Sequence, residues 1–398
     1  MATLFLLIIY IAFISLGLPD SLLGASWPMM RLEFGMALDS AGIITMIISG
    51  STIVSSLFCE KLIRRFGTGL VTAVSVFLTA VSLLGISFSH SFVWMILLAV
   101  PLGLGAGAVD AGLNNYIALH YKAHHMSWLH CFWGVGAVCG PLIIAGYLQK
   151  DNWRGGYLTI SLIQLAVCAL LFLSLPLWKK ANGTAQPAAQ SQPKAETQAP
   201  PAKNVFKVPG VLFALFTFSL YCAIEYTIGL WGSSYLVEAR GFAAPSAARA
   251  VALYYGGITI GRFLNGFLTI KFTSKQLIRT GIVVIVAGAL LLALPLSSYF
   301  SMGALLLMGL GCAPVFPSLI HETPYNFGAQ NSQKIMGLQM AFAYCGSTFI
   351  PPVVGLVANN INVALIPYFP LLFSLCILLF TEALNRATRR GANKTAAL

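Results

Sequence analysis

Twelve apolar runs, each long enough to cross a bilayer as a helix, leave this chain little choice of fold. They lie at about 4–30, 40–59, 69–89, 92–119, 127–149, 156–178, 208–236, 247–270, 277–297, 300–320, 332–357 and 361–384, and about 20 apolar residues suffice for one crossing. Of the 398 residues 58% are hydrophobic and 9% charged, against roughly 25% charged in soluble domains. The expectation is an all-α membrane protein. The first run carries small residues at Gly24, Ala25 and Ser26 in the manner of a signal peptide. It has no basic n-region, however, and Pro19-Asp20 interrupts its core, so it reads as the first helix.

A net charge of +12 would suggest nucleic acid in a soluble protein; here its distribution sets orientation instead. With twelve crossings both termini share a side, and that side collects 17 of the 23 basic residues, among them Lys61, Arg64, Arg65, Lys271, Lys275, Arg279, Arg386 and Arg390. Arg31, Lys150, Arg154, Arg240 and Arg249 fall opposite, and Arg262 lies inside the eighth run. The positive-inside rule then predicts a multi-pass protein of the cytoplasmic membrane with both ends in the cytoplasm. The eight cysteines sit in or beside apolar runs without a CxxC pair, so they read as small buried residues rather than disulfides or metal ligands.

Residues 179–207, rich in Ala, Pro, Gln and Lys, form the one long polar break and read as a flexible cytoplasmic linker. It separates an N-terminal six-helix bundle (1–178) from a C-terminal one (208–386), with 387–398 as a cytoplasmic tail. The halves resemble each other at an offset of about 206 residues: Gly103-Leu104-Gly105 falls on Gly309-Leu310-Gly311, Cys139-Gly140 on Cys345-Gly346, and Arg65-Phe66 on Lys271-Phe272. Asp20 meets Glu225 at an offset of 205. Two pseudo-symmetric six-helix bundles are the parallel-repeat architecture in which a solute site lies between halves near the midplane.

Eight of the eleven acidic residues lie in loops or at helix ends; Asp20, Asp110 and Glu225 do not. A lone acid within a span is a functional-site hypothesis, because burying the charge costs roughly 2.5 to 3.5 kcal/mol on insertion scales. Asp110 sits in Gly103-Leu104-Gly105-Ala106-Gly107-Ala108-Val109-Asp110-Ala111-Gly112-Leu113-Asn114, four residues before Asn114 and therefore on the same helical face. Gly103, Gly105 and Gly107 of that stretch suit close approach of a neighbouring helix. Each acid is read in two ways: as a structural polar group with a hydrogen-bond partner, or as a proton-coupling carboxyl that tracks which side the cavity faces.

Several other residues carry paired readings. His120-Tyr121-Lys122-Ala123-His124-His125 has the form of a di-iron ligand box, but only His90, His130 and His321 remain elsewhere, too few for such a site; a loop facing headgroups and water is expected. His130 lies inside the fifth run, placed to pair with Asp110 and relay its proton or to cap the cavity. Gly136-x3-Gly140-Pro141 is a glycine-proline pattern associated with antiporters, and also what tight helix packing produces. Trp27, Trp128, Trp153 and Trp178 lie near span ends, where an interfacial belt explains them, whereas Trp133 and Trp231 lie deeper, as stacking surfaces for a solute or as core. Asn265 and Gln339 are neutral polar residues within spans, suited to solute hydroxyls or to a neighbouring helix. Pro19, Pro101, Pro141, Pro314, Pro317, Pro351 and Pro352 interrupt spans and free carbonyls that neighbours must satisfy.

Taken together, GLGAGAVDAGLN, HCFWGVGAVCGP, WRGGY, EYTIGLWGSSYL and GLGCAPVFPSL resemble the major facilitator superfamily, and within it the fucose:proton symporter branch. The resemblance spans all but the linker and tail. It implies that acids in the first and fourth helices handle proton and sugar, matching Asp20, Asp110 and Asn114. The superfamily's signature between the second and third helices has an Asp where this chain has Arg64; Glu60 is a candidate substitute.

The expectation is therefore a secondary transporter, not an enzyme, moving a small polar solute of the sugar class by proton symport with alternating access. A proton-driven exporter of apolar compounds is the alternative. Asp20, Asp110, Glu225 and His130 are the proton-coupling candidates; Asp20, Asp110, Asn114, Asn265, Gln339, Trp231 and Trp133 are the solute-binding candidates. The expected partners are a small solute, protons and the bilayer, with no cofactor, no nucleic acid and a monomeric chain.

Overall fold

The computed structural model describes residues 2–121, 123–178 and 204–395, and its regular elements are helices. The first half holds α1 (Ala2–Asp20), α2 (Leu22–Phe34), α3 (Ser40–Phe66), α4 (Thr68–Ser87), α5 (Phe92–His120), α6 (Ala123–Leu148) and α7 (Trp153–Leu173). The second holds α8 (Val211–Arg240), α9 (Ala244–Lys271), α10 (Ser274–Ala293), α11 (Ser298–Cys312), α12 (Val315–Phe327), α13 (Ala329–Asn360) and α14 (Tyr368–Thr395). Among the described residues eleven segments are long and apolar enough to cross a membrane, with α1–α2 and α11–α12 each counting as one. The predicted eighth span lies in α9, which is continuous over 28 residues but carries Arg249, Arg262 and Asn265 and so falls short on hydropathy alone.

Two spans are broken where proline removes a backbone donor. The first is interrupted at Ser21, just after Pro19, and the Ser21 hydroxyl donates to the Ala137 carbonyl of α6 at 2.9 Å. The tenth breaks at Ala313-Pro314. The first break matters for function, because it leaves Asp20 as the last residue of α1.

The duplicated halves are visible in backbone contacts. Gly103 rests on the Ile48 carbonyl and Gly309 on that of Tyr254; Gly105 rests on the Ser75 carbonyl and Gly311 on that of Gly281. Both pairs of contacts keep the 206-residue offset. A side chain at any of these four glycines would collide with backbone, so the GLG pattern of each half records helix approach. Thr52, Ser55 and Ser56 of α3 add hydroxyl bonds to the Gly103, Leu104 and Gly107 carbonyls of α5 at 3.2, 2.5 and 3.2 Å. Gly136 and Gly140 likewise lie against the Ile14 and Leu18 carbonyls of α1.

Helix pairing repeats as well: α1 with α6, α3 with α5, and α4 with α5 and α7 correspond to α8 with α13, α9 with α11, and α10 with α11 and α14. The halves meet along α6–α9, α2–α8 and α3–α13. Contacts on the last two pairs close the end away from the termini. There Arg31 and Glu238 form a 2.8 Å ion pair, the Ser233 hydroxyl donates to the Ala25 carbonyl at 3.3 Å, and the Leu38 amide donates to Asn359 at 3.3 Å.

One expectation is corrected. Trp27, Trp153 and Trp178 are buried, not a solvent-facing belt: Trp27 Nε1 donates to the Leu38 carbonyl at 2.7 Å, Trp153 Nε1 to Glu33 at 2.7 Å, and Trp178 packs on Phe5 and Tyr116. Only Trp128 of the four is exposed. Within the described residues the last helix continues through the expected tail to Thr395. Residues 179–203 of the predicted linker lie outside the described residues, while Val205–Lys207 form a 3-10 turn capped by Asn204 and packed on Val211, Phe327 and Leu384.

Candidate functional site

Between the halves lies a cavity of about 970 Å³, measured out to its open mouth. Its wall takes Asp20 from α1, Thr45 and Ser49 from α3, Tyr157 from α7, Tyr226 from α8, Tyr255 from α9 and Ser347 from α13. Leu83 and Ile86 of α4 and Met95, Ala99, Leu102 and Ala106 of α5 supply an apolar side. Among the described residues Asp20 is the only formally charged side chain on this wall. Its carboxylate is exposed and accepts the Trp133 Nε1 hydrogen at 2.7 Å.

Asp110 and Asn114 continue the stripe of Met95, Ala99, Leu102 and Ala106 by one and two turns, beyond the cavity wall itself. Asn114 Nδ2 donates to Asp110 Oδ1 at 2.8 Å and to its carbonyl at 3.0 Å. The i, i+4 spacing therefore produces a real pair, and the half-buried Asp110 keeps free lone pairs for another donor. Asp20 is within electrostatic range of both Asp110 and Glu225.

Glu225 is placed differently. It is buried, receives the Tyr221 hydroxyl at 2.7 Å and forms an ion pair with Arg262 of α9 at 3.5 Å. Arg262 in turn lies over the Trp133 ring, 5.2 Å from its centroid. The matched acids of the two halves thus have unlike surroundings: Asp20 faces water, and Glu225 is neutralised within its own half.

The remaining candidates are scattered. His130 lies edge-on to Phe13 at 5.9 Å and in the field of Arg262; no hydrogen bond to Asp110 joins them among the described residues. Trp231 is fully buried, donates Nε1 to the Pro351 carbonyl at 2.7 Å and backs onto Gly355, so it sits behind the cavity wall. Gln339 accepts the Thr323 hydroxyl at 3.0 Å in a separate cleft with Lys275, Arg279 and Glu322. Asn265 is buried with its Oδ1 unpartnered. Glu60 pairs with Arg64 at 3.7 Å, both exposed, a contact of little energetic weight.

Sequence reasoning did not single out Thr45, Ser49, Tyr157, Tyr226, Tyr255 or Ser347, since hydroxyls within spans are common packing residues. Arg262 had a legible signal, being a cation inside a span, and such residues normally face a partner acid.

Two repeated halves of membrane-length helices around a central cavity define a secondary transporter architecture. The chain belongs to the Major Facilitator Superfamily, whose family model matches residues 9–320; that family comprises transporters, not enzymes. It is 24% identical to the glucose/mannose transporter GlcP of Bacillus subtilis (strain 168), over 77% of each chain. It is 24% identical to Bypass of stop codon protein 6 of Saccharomyces cerevisiae, covering 93% of this chain and 80% of that one. Its fold is similar to a bacterial homolog of the human lysosomal transporter Spinster in an inward-facing, occupied conformation. That match has a TM-score of 0.74 at 13% identity, covering 98% of this chain and 97% of that one.

Proposed function

We propose that this transporter carries a small neutral solute of the hexose class together with protons, by alternating access, across the cytoplasmic membrane with both termini inside. The observation that carries the reading is the exposed Asp20 carboxylate in a cavity lined by both halves, surrounded by hydroxyls of Thr45, Ser49, Tyr157, Tyr226, Tyr255 and Ser347. A carboxylate is an acceptor with about four lone-pair sites, suited to two neighbouring sugar hydroxyls, while the apolar wall of α4 and α5 suits the face of a ring. The glucose/mannose name of one relative supports a hexose without singling out fucose.

Proton coupling follows from the same carboxylate. An acid that meets water in one state and is enclosed in the other differs in proton affinity between them, which links protonation to the direction of opening. Asp110, with Asn114 beneath the cavity, is the second acid of this scheme. Glu225 serves as the partner of Arg262.

The test is uptake of labelled hexoses into vesicles containing the purified protein, with and without an imposed inward proton gradient. Gradient-stimulated accumulation supports symport. Efflux of lipophilic compounds with no hexose uptake would replace this reading by the exporter.

A further inference from the structure

Asp20 and Glu225, the matched acids of the two halves, are joined by one continuous set of contacts. Asp20 Oδ2 accepts from Trp133 Nε1 at 2.7 Å. The face of the same indole carries the Arg262 guanidinium at 5.2 Å, and Arg262 reaches Glu225 at 3.5 Å. The far oxygen of Glu225 is held by Tyr221 at 2.7 Å. Trp133 belongs to α6 and Arg262 to α9, so the indole is the point where the set crosses between halves. The seam there is otherwise formed by Tyr255, edge-on to Trp133 at 6.3 Å, and by Gly134 against Thr259. At the 206-residue offset Trp133 falls on Gln339 and Arg262 on Ser56, so the bridge has no copy on the other side of the pseudo-dyad.

We infer that Trp133 is a positioning residue that transmits the occupancy of Asp20 to the α6–α9 seam. An indole whose N–H donates to a carboxylate is polarised towards its ring, and a richer ring face holds a guanidinium more strongly. When a proton or a solute hydroxyl takes the Asp20 oxygen, the N–H loses its charged acceptor and the grip on Arg262 weakens. Arg262 stays paired with Glu225, so the seam loosens without stranding a buried charge. Other ionisable groups face Asp20 from the surrounding helices: Asp110 on α5, Tyr157 on α7, Tyr226 on α8 and Tyr255 on α9. Among the described residues none of them hydrogen-bonds Arg262 or the Glu225 carboxylate.

This inference rests on the proton-coupled reading above, and the experiment separates the two. Wild-type vesicles are measured for gradient-driven accumulation and for counterflow exchange of a labelled hexose; no response to the gradient in wild type would overturn the coupling reading and this bridge with it. Trp133→Phe keeps a ring beneath Arg262 and removes the N–H, while Trp133→Leu removes both. The expected result for both variants is a loss of accumulation of about tenfold, the scale of one charge-assisted hydrogen bond, with counterflow reduced no more than about threefold. In Trp133→Phe the midpoint of the pH profile also moves by about one unit. Equal losses of accumulation and counterflow, or an unmoved pH profile in Trp133→Phe, would overturn the proposal. The neutral pair Glu225→Gln with Arg262→Gln gives a second arm that leaves no lone buried charge. It should reproduce the split of Trp133→Leu, and wild-type accumulation in that double variant would overturn the bridge.

Discussion

Gly24 of α2 lies directly against the Gly229 carbonyl of α8, so the two halves touch backbone to backbone where the central cavity closes. A methyl group at Gly24 has no room, and overpacking of this kind costs about 1–3 kcal/mol. On the proposed alternating-access cycle this contact belongs to the state in which this end is shut, so the cost falls on that state. Gly24→Ala should therefore lower net uptake by about tenfold while the protein stays monodisperse on size exclusion, since each 1.4 kcal/mol shifts the equilibrium by that factor. Unchanged uptake would mean that this end does not need the close approach.

The Arg31–Glu238 pair closes the same end, with about a fifth of each side chain exposed. Partial exposure discounts it to about 0.5–1 kcal/mol, a factor of roughly two to five in the closed population. Glu238→Arg should slow exchange by more than that through repulsion, and adding Arg31→Glu should restore it. Failure of the swapped pair to recover would assign both residues another role.

Asp110 holds Asn114 at 2.8 Å, a contact that Asp110→Asn can keep in part. If Asp110 carries only the proton, this variant loses gradient-driven uptake and retains counterflow exchange. Loss of both in the same vesicles would make Asp110 a solute ligand or a structural group.

With Asp20 as the one charged side chain on the cavity wall among the described residues, and the Arg262 guanidinium held by Glu225 and the Trp133 ring, no described residue offers a free cation there for an acid. Neutral hexoses should compete for uptake, whereas the matching hexuronates should compete at least about tenfold less well, the scale of an uncompensated like charge at such a site. Equal competition by the hexuronate would show that a cation enters the cavity in the transporting state.

The extent of what could be read from residues alone follows from what kind of information a membrane sequence carries. Apolar length located the spans, and the offset of Gly103 and Gly105 from Gly309 and Gly311 anticipated contacts that the structure repeats carbonyl for carbonyl. Hydropathy reports depth, though, and not which way a side chain turns. Trp27 and Trp153 sit at span ends yet point inwards to Leu38 and Glu33, and Trp231 lies deep yet behind the wall. The Glu225–Arg262 pair joins residues 37 apart on different helices, and depends on rotations that no local pattern encodes. Asp20 was legible as an acid in a span, but its Trp133 partner was not, because that bond needs the break after Pro19 and the packing of α1 on α6.

The central claim is that Asp20 couples proton entry to solute movement. The most direct measurement is proton flux on adding hexose to vesicles that contain the purified protein and an internal pH-sensitive dye, with no imposed gradient. The account predicts that hexose drives protons inward in wild type and that Asp20→Asn abolishes this flux while still binding the sugar. Hexose-driven proton entry of wild-type size in Asp20→Asn, or hexose transport by the wild type with no proton movement, would contradict it.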